Sequence, residues 1–80
     1  MGNRIRQERV VFKNPETGKL GLSLEELVIL AELGVSSRTL RSWEHGQSDP
    51  TATMLGKLAD FFGCSVDWLV GRGDRRTPAA

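Results

Sequence analysis

Polar side chains line one face of a short segment, residues 36–45. Helical spacing, at about 100° per residue, predicts that this face is exposed. It carries Arg38, Ser42 and His45. An arginine can bond the O6 and N7 atoms of guanine, and a serine can donate to or accept from either strand. Such a face could form hydrogen bonds to base edges in a DNA groove. The alternative interpretation is that it is simply the solvated face of an ordinary amphipathic helix.

The opposite face of the same segment is predicted to be buried. It carries Leu40, Trp43 and Glu44. Because a buried carboxylate needs a cation, Glu44 is predicted to have a basic partner. Just before the segment, Gly34 can take the left-handed conformation that ends a helix, and Ser36 can cap the next one. The pattern indicates a helix, a sharp turn and a second helix.

Composition limits the classes of protein that fit. Eighty residues with 39% hydrophobic content suffice for one small domain. One cysteine, Cys64, and one histidine, His45, give neither an internal disulfide nor a tetrahedral metal site. Cys64 and His45 are also the only candidates for a catalytic nucleophile and its general base, and no nucleotide-binding or metalloprotease motif is present. Neither enzymatic activity nor a cofactor is therefore expected. Cys64 is interpreted as a packed thiol rather than a redox switch.

The chain contains no apolar run near the roughly 20 residues that span a bilayer, and its start lacks the apolar stretch of a signal peptide. A soluble, cytoplasmic protein is therefore expected. The formal net charge of +1 does not by itself indicate nucleic-acid binding. Basic residues are clustered rather than numerous, and the placement of Arg38 and Arg41 matters more than the total.

Local signals predict five helices, at residues 4–11, 24–33, 36–45, 51–62 and 66–70. Ser23 and Glu26 form a capping-box pattern at the second start, and Gly34 is predicted to end that helix. In the fourth helix, Gly56 lowers the stability of the helix by roughly 1 kcal/mol relative to alanine. A glycine at this position would be explained if another backbone passes close by.

Residues 13–22 form an insertion that is predicted to be a small β-hairpin or a long loop. The arms of such a hairpin are too short to be stable alone. The second helix is more apolar than a surface helix requires, so either this insertion or a second protomer is expected to cover it. The predicted organisation is a domain at 1–71 and a disordered tail at 72–80, where no large apolar residue provides an anchor.

Two stretches resemble the Cro and phage-repressor type of helix-turn-helix family, also called Xre-like regulators. The first consists of Gly34, Val35, Ser36, Leu40, Trp43, Glu44, Gly46 and Pro50, and the second is the run LADFFGCSVDWLVG at 58–71. The opening Arg4 to Arg9 is similar to the family's first helix. The resemblance implies an all-α, five-helix, lambda-repressor-like domain whose third helix enters the major groove, as a dimer on a palindromic site.

The resemblance also implies site residues. Base contacts are expected from Ser37, Arg38, Arg41 and Ser42, and phosphate contacts from Ser36, His45 and Gln47. Lys19 of the insertion is added as a further phosphate contact because of its charge. For His45, interaction with the helix dipole is an equal alternative. Related proteins tie the first helix to the end of the third, so Arg9 is expected to be the cation beside Glu44.

Three features depart from the family pattern. The segment between the first two helices is about ten residues longer than is usual, Leu30 stands where a small alanine is favoured, and Glu26 stands where a glutamine often lies near the DNA backbone. A carboxylate at Glu26 repels phosphate unless the capping box occupies it. A DNA contact is therefore not transferred to Glu26.

The expected function is a sequence-specific transcription regulator of prokaryotic or phage type, most simply a repressor on double-stranded DNA. The alternative is a protein-interaction module, antitoxin-like or adaptor, that docks through the second helix and the insertion. For the expected weak homodimer, the sequence offers two apolar surfaces, which are Val66 with Val70 in the last helix and Leu20 with Leu22 in the insertion. The sequence does not distinguish among a phage switch, a restriction controller and an antitoxin.

Overall fold

The chain folds into five short helices in the computed structural model, which describes residues 3–77. They are α1 (Ile5–Val11), α2 (Leu24–Leu30), α3 (Ser37–Glu44), α4 (Ala52–Phe62) and α5 (Val66–Leu69). The helical architecture predicted from the sequence is confirmed for these residues. The first two residues of the predicted domain and residues 78–80 of the predicted tail lie outside the described residues. Within 3–77, no helix is long and apolar enough to cross a membrane.

Four helices begin at a hydroxyl side chain that caps them. The caps are Ser23, Ser36, Thr51 and Ser65, and each accepts a hydrogen bond from the backbone amide three residues later. At α2 the capping box is complete, because the Glu26 carboxylate also accepts from the Ser23 amide at 2.8 Å. These contacts span only three residues, which explains why the sequence predicts the helix starts closely.

Helix α2 ends three residues earlier than predicted. Its last residue is Leu30, Ala31 caps it, and Glu32 takes a left-handed conformation with φ of 52°. The Glu32 carbonyl accepts a hydrogen bond from Lys57 Nζ of α4 at 2.9 Å. Gly34, with φ of 69°, belongs to the turn that follows rather than to the helix end. A contact to a side chain 25 residues away thus helps to fix this boundary.

A single apolar core lies between the helices. Its fully buried members include Ile5, Leu27, Leu33, Leu40, Leu58 and Leu69. Trp43 and Cys64 are also buried, in agreement with a packed indole and a packed thiol. Burial raises the pKa of the Cys64 thiol, and the charge of Glu8 raises it further, so the thiolate is disfavoured.

The segment between α1 and α2 is a loop closed by one antiparallel contact, between Lys13 and Leu20. The Asn14 amide donates to the Lys19 carbonyl at 2.8 Å, and the Gly21 amide donates to the Phe12 carbonyl at 2.8 Å. Neither arm extends into a strand, so a β-hairpin is not formed and the long-loop alternative describes the segment. Two hydrogen bonds and one residue pair are too little to propagate a ladder.

Two side chains anchor this loop. Phe12 stacks on Phe61 of α4 with ring centroids 4.6 Å apart. Asn14 is buried, accepts from the Glu16 amide at 2.8 Å and donates to Glu26 Oε2 at 2.9 Å. The insertion is therefore fixed both to the core and to the first turn of α2.

The described part of the predicted tail, 72–77, folds back onto the helices. Arg76 donates to Glu8 Oε1 at 2.6 Å and to the Phe62 carbonyl at 2.8 Å. Burial raises the pKa of Glu8, but the hydrogen bonds from Arg76 and Trp68 and the charge of Arg76 outweigh it, so its pKa lies below the usual value. The prediction of disorder for 72–77 considers only the tail's own composition, whereas a buried carboxylate on α1 supplies an anchor for Arg76.

The conformation around Gly56 does not require glycine. A methyl group added at this position would meet no atom within 4 Å, so the expected close approach of another backbone is absent. Gly56→Ala should therefore raise the free energy of unfolding by roughly 1 kcal/mol. That corresponds to an increase in Tm of about 4–8 °C for a domain of this size. Thermal and urea unfolding measure the change.

Gly63→Ala is the matched control for this substitution. Gly63 caps α4 with φ of 70°, a conformation that an L-residue adopts only with strain. The same chemical change should therefore destabilise the protein at Gly63 and stabilise it at Gly56. A lower Tm for Gly56→Ala would show that something in solution does occupy the open space beside α4.

Candidate nucleic-acid interface

Helix α3 is strongly amphipathic in the direction that the sequence predicts. Leu40 and Trp43 are buried on its inner side. Arg38 and Arg41 are exposed on its outer side. The turn before the helix, with Gly34 at φ of 69° and Ser36 as cap, lets α3 pack across α2. The core thus holds the inner face while the two guanidinium groups remain free to contact a ligand.

An open, concave surface of about 400 Å³ lies on the outer side of α3 and the turn that follows it. Five side chains line it, namely Arg38, Arg41, Ser42, His45 and Gln47. All five are among the residues expected to contact DNA. None of them is acidic, so this surface combines positive charge with hydrogen-bonding groups that suit phosphates and base edges.

The turn after α3 holds His45 and Gln47 beside the helix. The His45 amide donates to the Arg41 carbonyl at 3.0 Å, and the Gln47 amide donates to the Ser42 carbonyl at 3.0 Å. Between them Gly46 has φ of 73°, which permits the chain to reverse. Backbone geometry therefore brings residues beyond the helix end onto the same surface as Arg38.

Ser42 has a partner that the sequence does not predict. Its hydroxyl lies 2.8 Å from the hydroxyl of Ser48, and either oxygen can be the donor. One hydroxyl proton is consumed within this pair, so the pair has one proton left to donate outward. No pattern in the sequence signals this contact, because it depends on the reversal at Gly46.

Ser36 and Ser37 are not among the residues lining this surface. The Ser36 hydroxyl accepts from the Thr39 amide at 3.2 Å and lies 3.1 Å from the Thr39 hydroxyl. It caps α3, as its position predicts. Ser37 is the first residue of α3 and is half-buried.

Lys19 lies in the insertion and also does not line the concave surface. It is exposed, and its charge contributes to lowering the pKa of Glu26. The largest cause of that lowering is the hydrogen bond from the Ser23 amide, which outweighs burial. Asn14 bonds the other carboxylate oxygen. The Glu26 carboxylate, which departs from the family pattern, is thus engaged by the capping box and by the insertion.

Arg9 and Glu44 form a two-pronged ion pair between α1 and the end of α3. Arg9 Nε lies 2.7 Å from Glu44 Oε2, and Nη2 lies 3.0 Å from Oε1. The remaining Nη1 donates to the Leu22 carbonyl at 2.7 Å. Nearby, Asn3 Nδ2 donates to the Trp43 carbonyl at 2.8 Å. These contacts fix the C-terminal end of α3, where His45 begins the turn.

Leu22, one of the four residues expected at a dimer contact, is buried within its own protomer and is therefore excluded from such a contact. It is 4% exposed and belongs to the core, so it is not available to a second copy. Along the extended segment side chains alternate, and Leu20 points outward while Leu22 points inward. Val66 is exposed, and Val70 is half-buried beside a shallow pocket shared with Leu55.

Helices α2 and α3, the tight turn between them and the exposed polar face of α3 define a helix-turn-helix protein. The helix-turn-helix family model matches residues 16–69, more than half of the chain. The protein therefore belongs to the Cro and phage-repressor type of helix-turn-helix family, as its resemblance implied, and the family's general role is DNA-binding regulation. No curated protein and no solved structure matches the chain.

Proposed function

We propose that the protein is a sequence-specific regulator of transcription, most simply a repressor, that inserts α3 into the major groove of double-stranded DNA. The observation that carries the proposal is the concave surface on α3, where Arg38, Arg41, Ser42, His45 and Gln47 lie together without an acidic side chain. A surface of this size and charge complements phosphates at its rim and base edges at its centre. A cytoplasmic protein acting at the nucleoid is the setting that this function requires.

Base contacts are assigned to Ser37, Arg38, Arg41 and Ser42. Arg38 lies near the start of α3 and is exposed, the position from which a guanidinium can reach two acceptors of one guanine. Phosphate contacts are assigned to Ser36, His45, Gln47 and Lys19. The side chains of the turn after α3 offer donors to the backbone of the duplex, and such contacts fix the register of the protein but carry no sequence information.

The function is tested by comparing Arg38→Ala with His45→Ala on the best binding site and on random duplex DNA. Arg38→Ala should cost about 1–3 kcal/mol on the best site and much less on random DNA, because it removes a base contact. His45→Ala should weaken both about equally, because a phosphate contact is independent of sequence. Gel shift or fluorescence anisotropy measures both.

Each result of this comparison has a clear meaning. If Arg38→Ala loses equal affinity for both DNAs, Arg38 contacts a phosphate. Sequence specificity would then have to come from Ser37, Arg41 or Ser42. Absence of binding to any duplex by the unmodified protein would contradict the regulator and favour a protein-interaction module on the same scaffold.

Two copies on a palindromic site stand one helical turn, about 34 Å, apart. We propose α5 as their contact, because Val66 and Val70 offer exposed and half-exposed apolar area one turn apart. Val70→Glu should abolish cooperative binding to a duplex with two half-sites while the circular dichroism spectrum stays nearly unchanged. If sedimentation shows the variant dimerising like the unmodified protein, α5 is not the contact.

A further inference from the structure

An apolar groove lies between the insertion and the outer side of α2, and it shares no lining residue with the concave surface on α3. Its volume is about 230 Å³, and it is lined by Asn14, Glu16, Thr17, Glu26, Ile29 and Leu30. Ile29 is 72% exposed in this groove, although it belongs to a helix that consists mostly of apolar residues. The insertion therefore covers only part of α2, and the area around Ile29 is exposed.

The rim of this groove is acidic. Glu16 and Glu26 line it, and Glu25 lies next to Glu26 in sequence, one helical turn before Ile29. Glu16 and Glu25 are exposed, and neither has an ion-pair partner among residues 3–77. Such a rim repels phosphate, so DNA is not the occupant. The groove suits a surface that presents apolar side chains beside cations. We refer to it as the acidic groove.

The chain itself carries a surface of that kind. Val10 and Val11 at the end of α1 are 44% and 56% exposed, and Leu20 is 74% exposed. The loop brings Leu20 close to α1, because a side chain at the next residue, Gly21, would start 3.1 Å from the Val10 carbonyl oxygen.

Cations flank these three apolar residues. Arg6 lies one turn before Val10 on α1, and Lys13 is paired with Leu20 across the loop. Both are exposed, and neither has an ion-pair partner within 3–77. We call these five residues the basic apolar surface: Arg6, Val10, Val11, Lys13 and Leu20.

We propose that the acidic groove of one copy binds the basic apolar surface of a second copy of this chain. The contact removes Ile29, Val11 and Leu20 from water and places Arg6 and Lys13 opposite Glu16 and Glu25. Because two different surfaces meet, the contact is heterologous and can continue from copy to copy. Its small area makes it weak in free solution, and binding to neighbouring DNA sites raises its effective concentration. The association itself does not require DNA, so it stands independently of the proposed function.

The test uses two complementary variants of the full chain, observed by NMR without DNA. Ile29→Lys disables the acidic groove, and the double variant Val11→Asn, Leu20→Asn disables the basic apolar surface. All three positions are exposed, so the fold should persist, which the amide spectra verify. In the unmodified protein, amides of both surfaces should shift with concentration, less so at high salt. Each variant alone should associate at least about tenfold more weakly.

Mixing the two variants should restore a one-to-one complex, since each contributes the surface that the other lacks. With only one partner isotopically labelled, shifts should appear at the basic apolar surface of Ile29→Lys, and at the acidic groove of the double variant. Val66→Glu, which alters α5, is the matched control and should leave this association unchanged.

The proposal is overturned if the unmodified protein shows no concentration-dependent shifts at these surfaces. It is equally overturned if the mixed variants remain separate, or if Val66→Glu removes the shifts. That last result would assign self-association to α5 instead. A protein of another sequence would then be the remaining candidate for the acidic groove.

Discussion

Binding of duplex DNA should weaken by about 10³ to 10⁵ between 50 and 200 mM salt for a dimer that contacts roughly 6–10 phosphates. On the proposed interface, Arg38 and Arg41 of the concave surface, together with Lys19 of the insertion, should displace condensed counterions from the phosphates. A plot of log binding constant against log salt concentration measures the effect. Arg41→Gln should reduce the magnitude of its slope by about one for each copy, because one cation fewer then displaces counterions at the concave surface.

Arg72→Gln is the matched control for the salt dependence. It removes the same charge from an exposed arginine that follows α5 and does not line the concave surface. Its salt slope should equal that of the unmodified protein. If both arginine variants change the slope equally, the overall charge of the protein rather than the α3 surface governs binding, and the proposed interface is contradicted.

The sequence predicts those parts of the fold that depend on near neighbours. Ser23, Ser36, Thr51 and Ser65 each satisfy an amide three residues away, so a pattern of four residues suffices to place a helix start. The amphipathic face of α3 follows from helical spacing in the same way. The residues lining the concave surface are predictable for this reason, since α3 and its following turn are local structures.

Distant contacts account for what the sequence did not predict. The end of α2 involves the bond from Lys57 to the Glu32 carbonyl, and the order of 72–77 depends on Arg76 meeting Glu8, which is 68 residues away in sequence. The bond from Asn14 to Glu26 joins the insertion to α2. None of these pairs has a spacing that a helix or a turn imposes.

The exposed position of Ile29 bears on what covers the apolar surface of α2, for which the sequence left two alternatives. An unusually apolar α2 predicted a cover from either the insertion or a second protomer. Asn14 holds the insertion beside the first turn of α2, and Ile29 remains 72% exposed in the groove between the insertion and α2. The insertion thus accounts for part of the pattern, and the proposed contact between copies accounts for the rest.

The ion pair between Arg9 and Glu44 should be the most sensitive single contact in the fold. Their side chains are 13% and 3% exposed. Glu44→Ala leaves the Arg9 guanidinium with the Leu22 carbonyl alone, and an unpaired charge at such a site costs about 3–5 kcal/mol. A domain of this size is typically stable by only about 5–15 kcal/mol, so the loss is a large fraction of the total. Urea unfolding of the full chain measures it.

Two further variants distinguish the cost of leaving a buried charge unpaired from the effect of simply removing a side chain. Glu25→Ala removes an exposed carboxylate from α2 and should change the free energy of unfolding by less than about 0.5 kcal/mol. The double variant Arg9→Met, Glu44→Leu replaces both charges with apolar groups and should recover most of the stability that Glu44→Ala loses, because no buried charge is left unpaired. A loss of under about 1 kcal/mol for Glu44→Ala would be typical of an exposed pair and would contradict the burial of this contact. With the pair intact, the end of α3 is held against α1 and Leu22, which keeps His45 and Gln47 at the rim of the surface that we assign to DNA.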